Sequence, residues 1–208
     1  MRLRLVAALA AATAVLATPA GAATGRPQIT DPKGDVRGGV ASLDIVSARW
    51  STAGRGAGAR LVASLTLAAV PMKDAPFAYE LKSQVRGCGT VIFEYSPGAL
   101  VTYLDELGQP AISDADQTAT MWLECGAGTS DTTGSTLLVE EVTFAVAGNT
   151  MTWSVPVAAL PSEVRTGSVF YDFTAAADAG DPVFGIPLAS GASQSFDNGV
   201  GDGTWRMS

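Results

Sequence analysis

Hydrophobic and polar residues alternate with a period of two along most of the chain, and helical periodicity is scarce. "ARLVASLTLAAV" sets Leu61, Ala63, Leu65 and Leu67 on one face. "FAYELKSQVR" sets Phe77, Tyr79, Leu81 and Val85 against Glu80, Lys82, Gln84 and Arg86, as in a strand with one buried and one wet face. "CGTVIFEY" aligns Val91, Phe93 and Tyr95, and "ALVTYLDE" continues as a strand after a turn at Ser96-Pro97-Gly98. "TATMWLEC" ends a strand at Cys125, before the Gly-rich loop "GAGTSDTTGS". "TLLVEEVTFAVAGNTMTWSVPV" reads as a hairpin with Gly148-Asn149 at its tip and Leu138, Val142, Phe144, Met151, Trp153 and Val155 in the core. In "LDIVSARW", Leu43, Ile45 and Ser47 point one way and Asp44, Val46, Ala48 and Trp50 the other. "AALPSEVRTG" has room for one helical turn, and "SVFYDFTAAAD" is the last clear strand. Residues 178–208 are rich in Gly and Asp and end in a short strand at Trp205.

About eight to ten short strands separated by turn signals predict an all-β fold, a single β-sandwich of the jelly-roll or Greek-key kind. No strand–helix–strand unit is found, which argues against a parallel α/β sheet. No repeat and no low-complexity linker divides the chain, so residues 23–208 are read as one domain.

The first residues are of a different kind. Arg2 and Arg4 precede an apolar run from Leu5 to Ala17, and Ala20-Gly21-Ala22 has the small-x-small pattern of a cleavage site. The run is shorter than the roughly 20 apolar residues a bilayer span needs. Residues 1–22 are therefore expected to be a signal peptide, and the protein to be secreted, extracellular or cell-wall associated, with no membrane span. Cleavage removes two of the 13 basic residues and none of the 20 acidic ones, leaving a mature chain with a net charge near −9. An acidic chain with no Lys/Arg cluster repels phosphate backbones, so nucleic acid is not an expected partner.

Cys88 and Cys125 are the two cysteines. A zinc or redox site is the alternative to a bridge, but there is no C-x-x-C spacing and no histidine to complete a ligand set. An exported pair of this kind is read as a structural disulfide, worth about 3–4 kcal/mol in the loop-entropy model. The absence of histidine from the 208 residues also removes Ser-His-Asp and Cys-His nucleophilic machinery, most catalytic zinc sites and facial-triad iron sites.

Carboxylates remain. Glycoside hydrolysis needs two of them about 5–10 Å apart. Glu94 with Glu124 is one candidate pair; Glu140 with Glu141 is another, but neighbours along a strand point to opposite faces. Solvent-facing strand residues are the plainer interpretation. In "ITDPKGDVRGGVASLDIVSARW", Asp31, Asp35 and Asp44 are candidate calcium ligands, because a loop rich in Asp and Gly can turn several oxygens inward. Asp178, Asp181, Asp197 and Asp202 join them if the chain ends meet. The spacing is not that of an EF-hand: Lys33 stands at the third position and no glutamate at the twelfth. Turn chemistry around Asp31-Pro32 is the alternative.

Trp50, Trp122, Trp153 and Trp205, with Tyr79, Tyr95, Tyr103 and Tyr171, offer rings that stack on sugars or pack a core. Trp50 and Trp122 each share a face with a charged residue and are expected to point outward as the ligand-binding pair, while Trp153 aligns with Met151 and Val155 and is expected inside.

The turn Asp31-Pro32-Lys33-Gly34-Asp35 leading to Leu43-Asp44-Ile45, and the later run from Gly148 to Leu160, "GNTMTWSVPVAAL", resemble exported actinobacterial β-sandwiches. These are in turn similar to the DOMON and family-nine carbohydrate-binding-module superfamily, and the resemblance covers most of residues 29–175. It implies a jelly-roll sandwich that binds sugar, haem or a structural calcium ion and does not catalyse. Haem-binding members use axial Met and His ligands, and this chain has no histidine. The expectation is thus a monomeric, secreted, non-catalytic binding module for a cell-wall or extracellular glycan, with calcium as a possible cofactor. A structural domain of the cell envelope that binds another secreted protein is the alternative, and a carboxylate-based glycosidase a distant third.

Overall fold

The computed structural model describes residues 26–37, 39–71, 77–96, 100–104, 110–114, 118–125, 135–179 and 195–208. The leader, the turn at Pro97-Gly98, the Gly-rich loop after Cys125 and Asp181 lie outside the described residues. Thirteen strands are found among the described residues: β1 (Ile29–Thr30), β2 (Ile45–Ala53), β3 (Arg60–Leu67), β4 (Phe77–Val85), β5 (Gly89–Ser96), β6 (Leu100–Leu104), β7 (Pro110–Asp114), β8 (Thr118–Cys125), β9 (Ser135–Leu138), β10 (Thr143–Ala147), β11 (Thr150–Pro156), β12 (Val169–Ala179) and β13 (Ser195–Arg206). Among the described residues helix is confined to two 3-10 turns, Gly56–Gly58 and Val157–Ala159, the second within the stretch where one helical turn is expected. Among the described residues no helix is long and apolar enough to cross a membrane.

The strands form two antiparallel sheets and a separate β6–β7 hairpin. The first sheet runs β1-β2-β3-β11-β10 and the second β13-β12-β4-β5-β8-β9. Alternation explains which face each strand buries. Leu61, Ala63, Leu65 and Leu67 of β3 and Met151, Trp153 and Val155 of β11 are all fully buried. So are Leu81 of β4, Val91 and Phe93 of β5 and Met121 and Leu123 of β8, in the second sheet. The two inward faces meet in one core, which makes the fold sandwich-like. The rings of Phe93 and Trp153 stand 6.3 Å apart across it, those of Trp50 and Phe173 4.9 Å. The Trp153 indole N–H also donates to the Glu94 carbonyl at 2.8 Å, so this large ring is buried without leaving its polar atom unpaired. Burial of each such side chain contributes about 1.5–3 kcal/mol.

Three expectations are corrected. Trp50 is 1 % exposed and lies in the core, not on an outward face. The cause is a β-bulge: Ile45 pairs with Leu67 but Ser47 pairs with Thr66, so one extra residue resets the alternation and both Ile45 and Trp50 turn inward. Leu138 is 43 % exposed, because β9 pairs with β8 in the second sheet and sets Leu138 beside Trp122 on the outer face. The chain then crosses to the first sheet, so Glu140 and Glu141 lie in a connection rather than along one strand.

The C-terminal segment holds the largest surprise. It forms the 12-residue strand β13, whose inward positions are Asp197, Gly199 and Gly201. Glycine is required there: a Cβ on Gly199 would stand 2.7 Å from Ile29 Cγ2, and one on Gly201 would strike the Gln28 carbonyl oxygen. The missing side chains let β1 of the first sheet lie against β13 of the second. At the opposite side, Cys88 and Cys125 form the expected disulfide with Cα atoms 4.3 Å apart, tying the start of β5 to the end of β8, where Gly89 pairs with Cys125.

Candidate functional site

Four aspartates gather where β1 meets β13. Asp31 follows β1, and its N–H donates to the Val46 carbonyl. Asp35 lies at the far side of the Pro32–Gly34 turn and is exposed. Asp44 precedes β2, is 2 % exposed, and accepts a hydrogen bond from the Gly34 N–H at 2.8 Å, which pins the turn to the strand start. Asp197 of β13 accepts from the Ile45 N–H at 2.6 Å and from the Asn198 N–H at 2.9 Å. One carboxylate oxygen from each of Asp31, Asp35 and Asp197 lies within 4.8 Å of the others.

Like charges so placed oppose one another's ionisation. The Asp31 carboxyl is raised from 3.8 to about 6, first by burial and then by the charges of Asp197, Asp35 and Asp44. Burial likewise raises Asp197; the N–H groups of Ile45 and Asn198 pull it back, and the charges of Asp35 and Asp44 add to the rise. Asp31 Oδ2 and Asp44 Oδ1 are both buried and make no hydrogen bond. Among the described residues none of the four aspartates forms an ion pair with a lysine or arginine.

Of the three expected metal ligands, Asp31 and Asp35 thus come together, while Asp44 is buried outside the triad and its charge raises both Asp31 and Asp197. Asp197 completes the triad, because β13 packs against β1. Asp178 and Asp202 stand outside it.

The second candidate is the outer face of the second sheet. Trp122 is half-buried at its centre, in a row with Lys82, Ile92 and Leu138 on successive strands. Its indole N–H donates to Glu94 Oε2 at 2.9 Å, which fixes the ring's orientation. The Glu94 carboxyl is raised by burial and by the charge of Glu80, against which the Trp122 N–H and the Lys82 ammonium hold it down. Lys82 itself pairs with Glu80 at 2.8 Å. Glu94 lies opposite Thr120, so Glu124 stands four residues further along β8, about 13 Å away at roughly 3.3 Å per residue. That separation exceeds what either glycosidase geometry uses. Trp50, the other expected ligand-binding ring, is on the far side of the sandwich interior.

Comparison of the chain with models of protein families, with curated proteins and with solved structures finds no match.

Proposed function

We propose that the chain is an exported, monomeric, non-catalytic β-sandwich module of the jelly-roll or Greek-key kind that binds a cell-wall or extracellular glycan on the outer face of its second sheet. The observation that supports this best is Trp122: a half-buried indole on the outer face, held by Glu94 and flanked by Ile92, Leu138 and Lys82 on neighbouring strands. A sugar ring offers an apolar face to such an indole and hydroxyls to the carboxylate and ammonium beside it. Export is supported by the charged, apolar and small-residue segments of residues 1–22. The lack of catalysis is supported by the missing imidazole and by the roughly 13 Å along the sheet that separates Glu94 from Glu124.

The test is a glycan-array screen of the purified protein and of Trp122→Ala, each with and without calcium. Binding to a related set of glycans, weakened about 30-fold or more by the substitution, is the expected result for a central aromatic anchor. Failure to bind any glycan, or equal binding by the variant, rejects the reading.

A protein partner is the second reading. It is favoured by β10, among the described residues an edge strand of the first sheet with Val146 38 % exposed, since a sheet edge can accept a further strand.

A further inference from the structure

We propose that Asp31, Asp35, Asp44 and Asp197 form a calcium site that clasps the first and last strands of the sandwich together. This inference is independent of the glycan reading. The cluster alone would be ordinary acidic surface; two buried oxygens make it more. Asp44 is 98 % shielded from solvent and spends only Oδ2 on the protein, leaving Oδ1 without a hydrogen bond. Asp31 Oδ2 is buried and unpartnered in the same way. A buried carboxylate oxygen with no donor costs free energy on the order of 1–3 kcal/mol, more when charged, so two in one place call for a proton or a cation.

The donor set selects the cation. It consists of oxygen alone, with no histidine anywhere in the chain and both cysteines in the disulfide, so it suits a hard ion. Magnesium demands a tight octahedron, keeps several waters and is usually held by only one or two carboxylates, whereas calcium takes six to eight oxygens in a flexible shell that several carboxylates can fill. The oxygens of Asp31, Asp35 and Asp197 lie within 4.8 Å of one another. Waters at the exposed Asp35 side can supply the ligands that bring calcium to six or more. Because Asp31 and Asp44 flank strands of the first sheet and Asp197 belongs to the second, an ion held between them joins the two sheets.

The experiment is isothermal titration of calcium chloride into the full, chelator-stripped protein, paired with melting curves. One ion per chain and a higher melting temperature in calcium are expected. Asp35→Asn, at an exposed position, should weaken binding about tenfold or more while melting no lower than the unaltered protein in chelator, since it removes a charge that repels Asp31 and Asp197. Asp44→Asn should weaken binding too, and should melt no lower than the unaltered protein in chelator, since it removes a buried charge. No binding at millimolar calcium, or unaltered affinity in both variants, would overturn the site. Magnesium bound as tightly as calcium would overturn its assignment to calcium.

Discussion

The Asp197 carboxylate accepts a hydrogen bond of 2.6 Å from the backbone N–H of Ile45, 152 residues earlier in the chain. This contact crosses from one sheet to the other, beside the place where Gly199 and Gly201 let Ile29 and Gln28 approach. The N-terminal strand is only two residues long, so its hold on the fold depends on this seam. The Gln28 side-chain amide extends it by bonding both the N–H and the carbonyl of Trp50.

Asp197→Ala removes the acceptor and leaves the Ile45 N–H buried without a partner. A loss of about 1–3 kcal/mol is expected, measured by urea unfolding in chelator. A midpoint unchanged from the unaltered protein would show that the seam contributes nothing.

The aspartates also set a pH dependence with an unusual sign. Unfolded, Asp31 titrates near 3.8; folded, at about 6. Between those values the folded chain holds a proton that the unfolded chain has released, so this contribution to stability is full below pH 3.8, falls as pH rises to about 6 and is level beyond it. Asp197 is shifted in the same direction. In chelator, the melting temperature of the unaltered protein relative to Asp31→Asn should therefore fall between pH 4 and pH 6. A difference that stays constant or grows over that range is the contrary result.

Trp50 and Trp122 should part company on substitution. Trp50 is buried against Phe173, and its truncation to Ala leaves a cavity that costs about 3–5 kcal/mol. Trp122 stands on the outer face, so Trp122→Ala should cost much less. Equal losses in urea unfolding would contradict the placement of one ring inside and the other outside.

Strands with a regular alternation were legible from residues alone. In β3, β4, β5 and β11 each inward position is apolar or small, and the buried faces follow the pattern closely. Two physical features defeated the same reasoning elsewhere. The bulge before Ser47 changes the phase of β2, which no residue in "DIVSARW" announces, so simple alternation puts Trp50 on the wrong face. In β13 the inward positions are Asp197, Gly199 and Gly201, chosen for close approach and hydrogen bonding rather than burial, so the strand carries almost no hydrophobic signal. The acidic cluster was half legible. Asp31 and Asp35 stand together in sequence, but the identity of their third partner depends on how the chain ends pack.

The Cys88–Cys125 bridge spans 37 residues and closes the β5–β8 pair at one end. Replacing both cysteines with Ala should cost about 3–4 kcal/mol by the loop-entropy relation, read as a lower urea midpoint. Thiol titration of the unaltered protein under denaturant should find no free cysteine; two reactive thiols would refute the bridge.

The most direct test of a binding module without catalysis is to incubate the purified protein with insoluble cell-wall polysaccharide, and to measure both the protein retained and the reducing ends released. Retention that Trp122→Ala abolishes, with no reducing ends formed, is the expected result. Equal retention of the variant, or steady release of reducing ends, would contradict it.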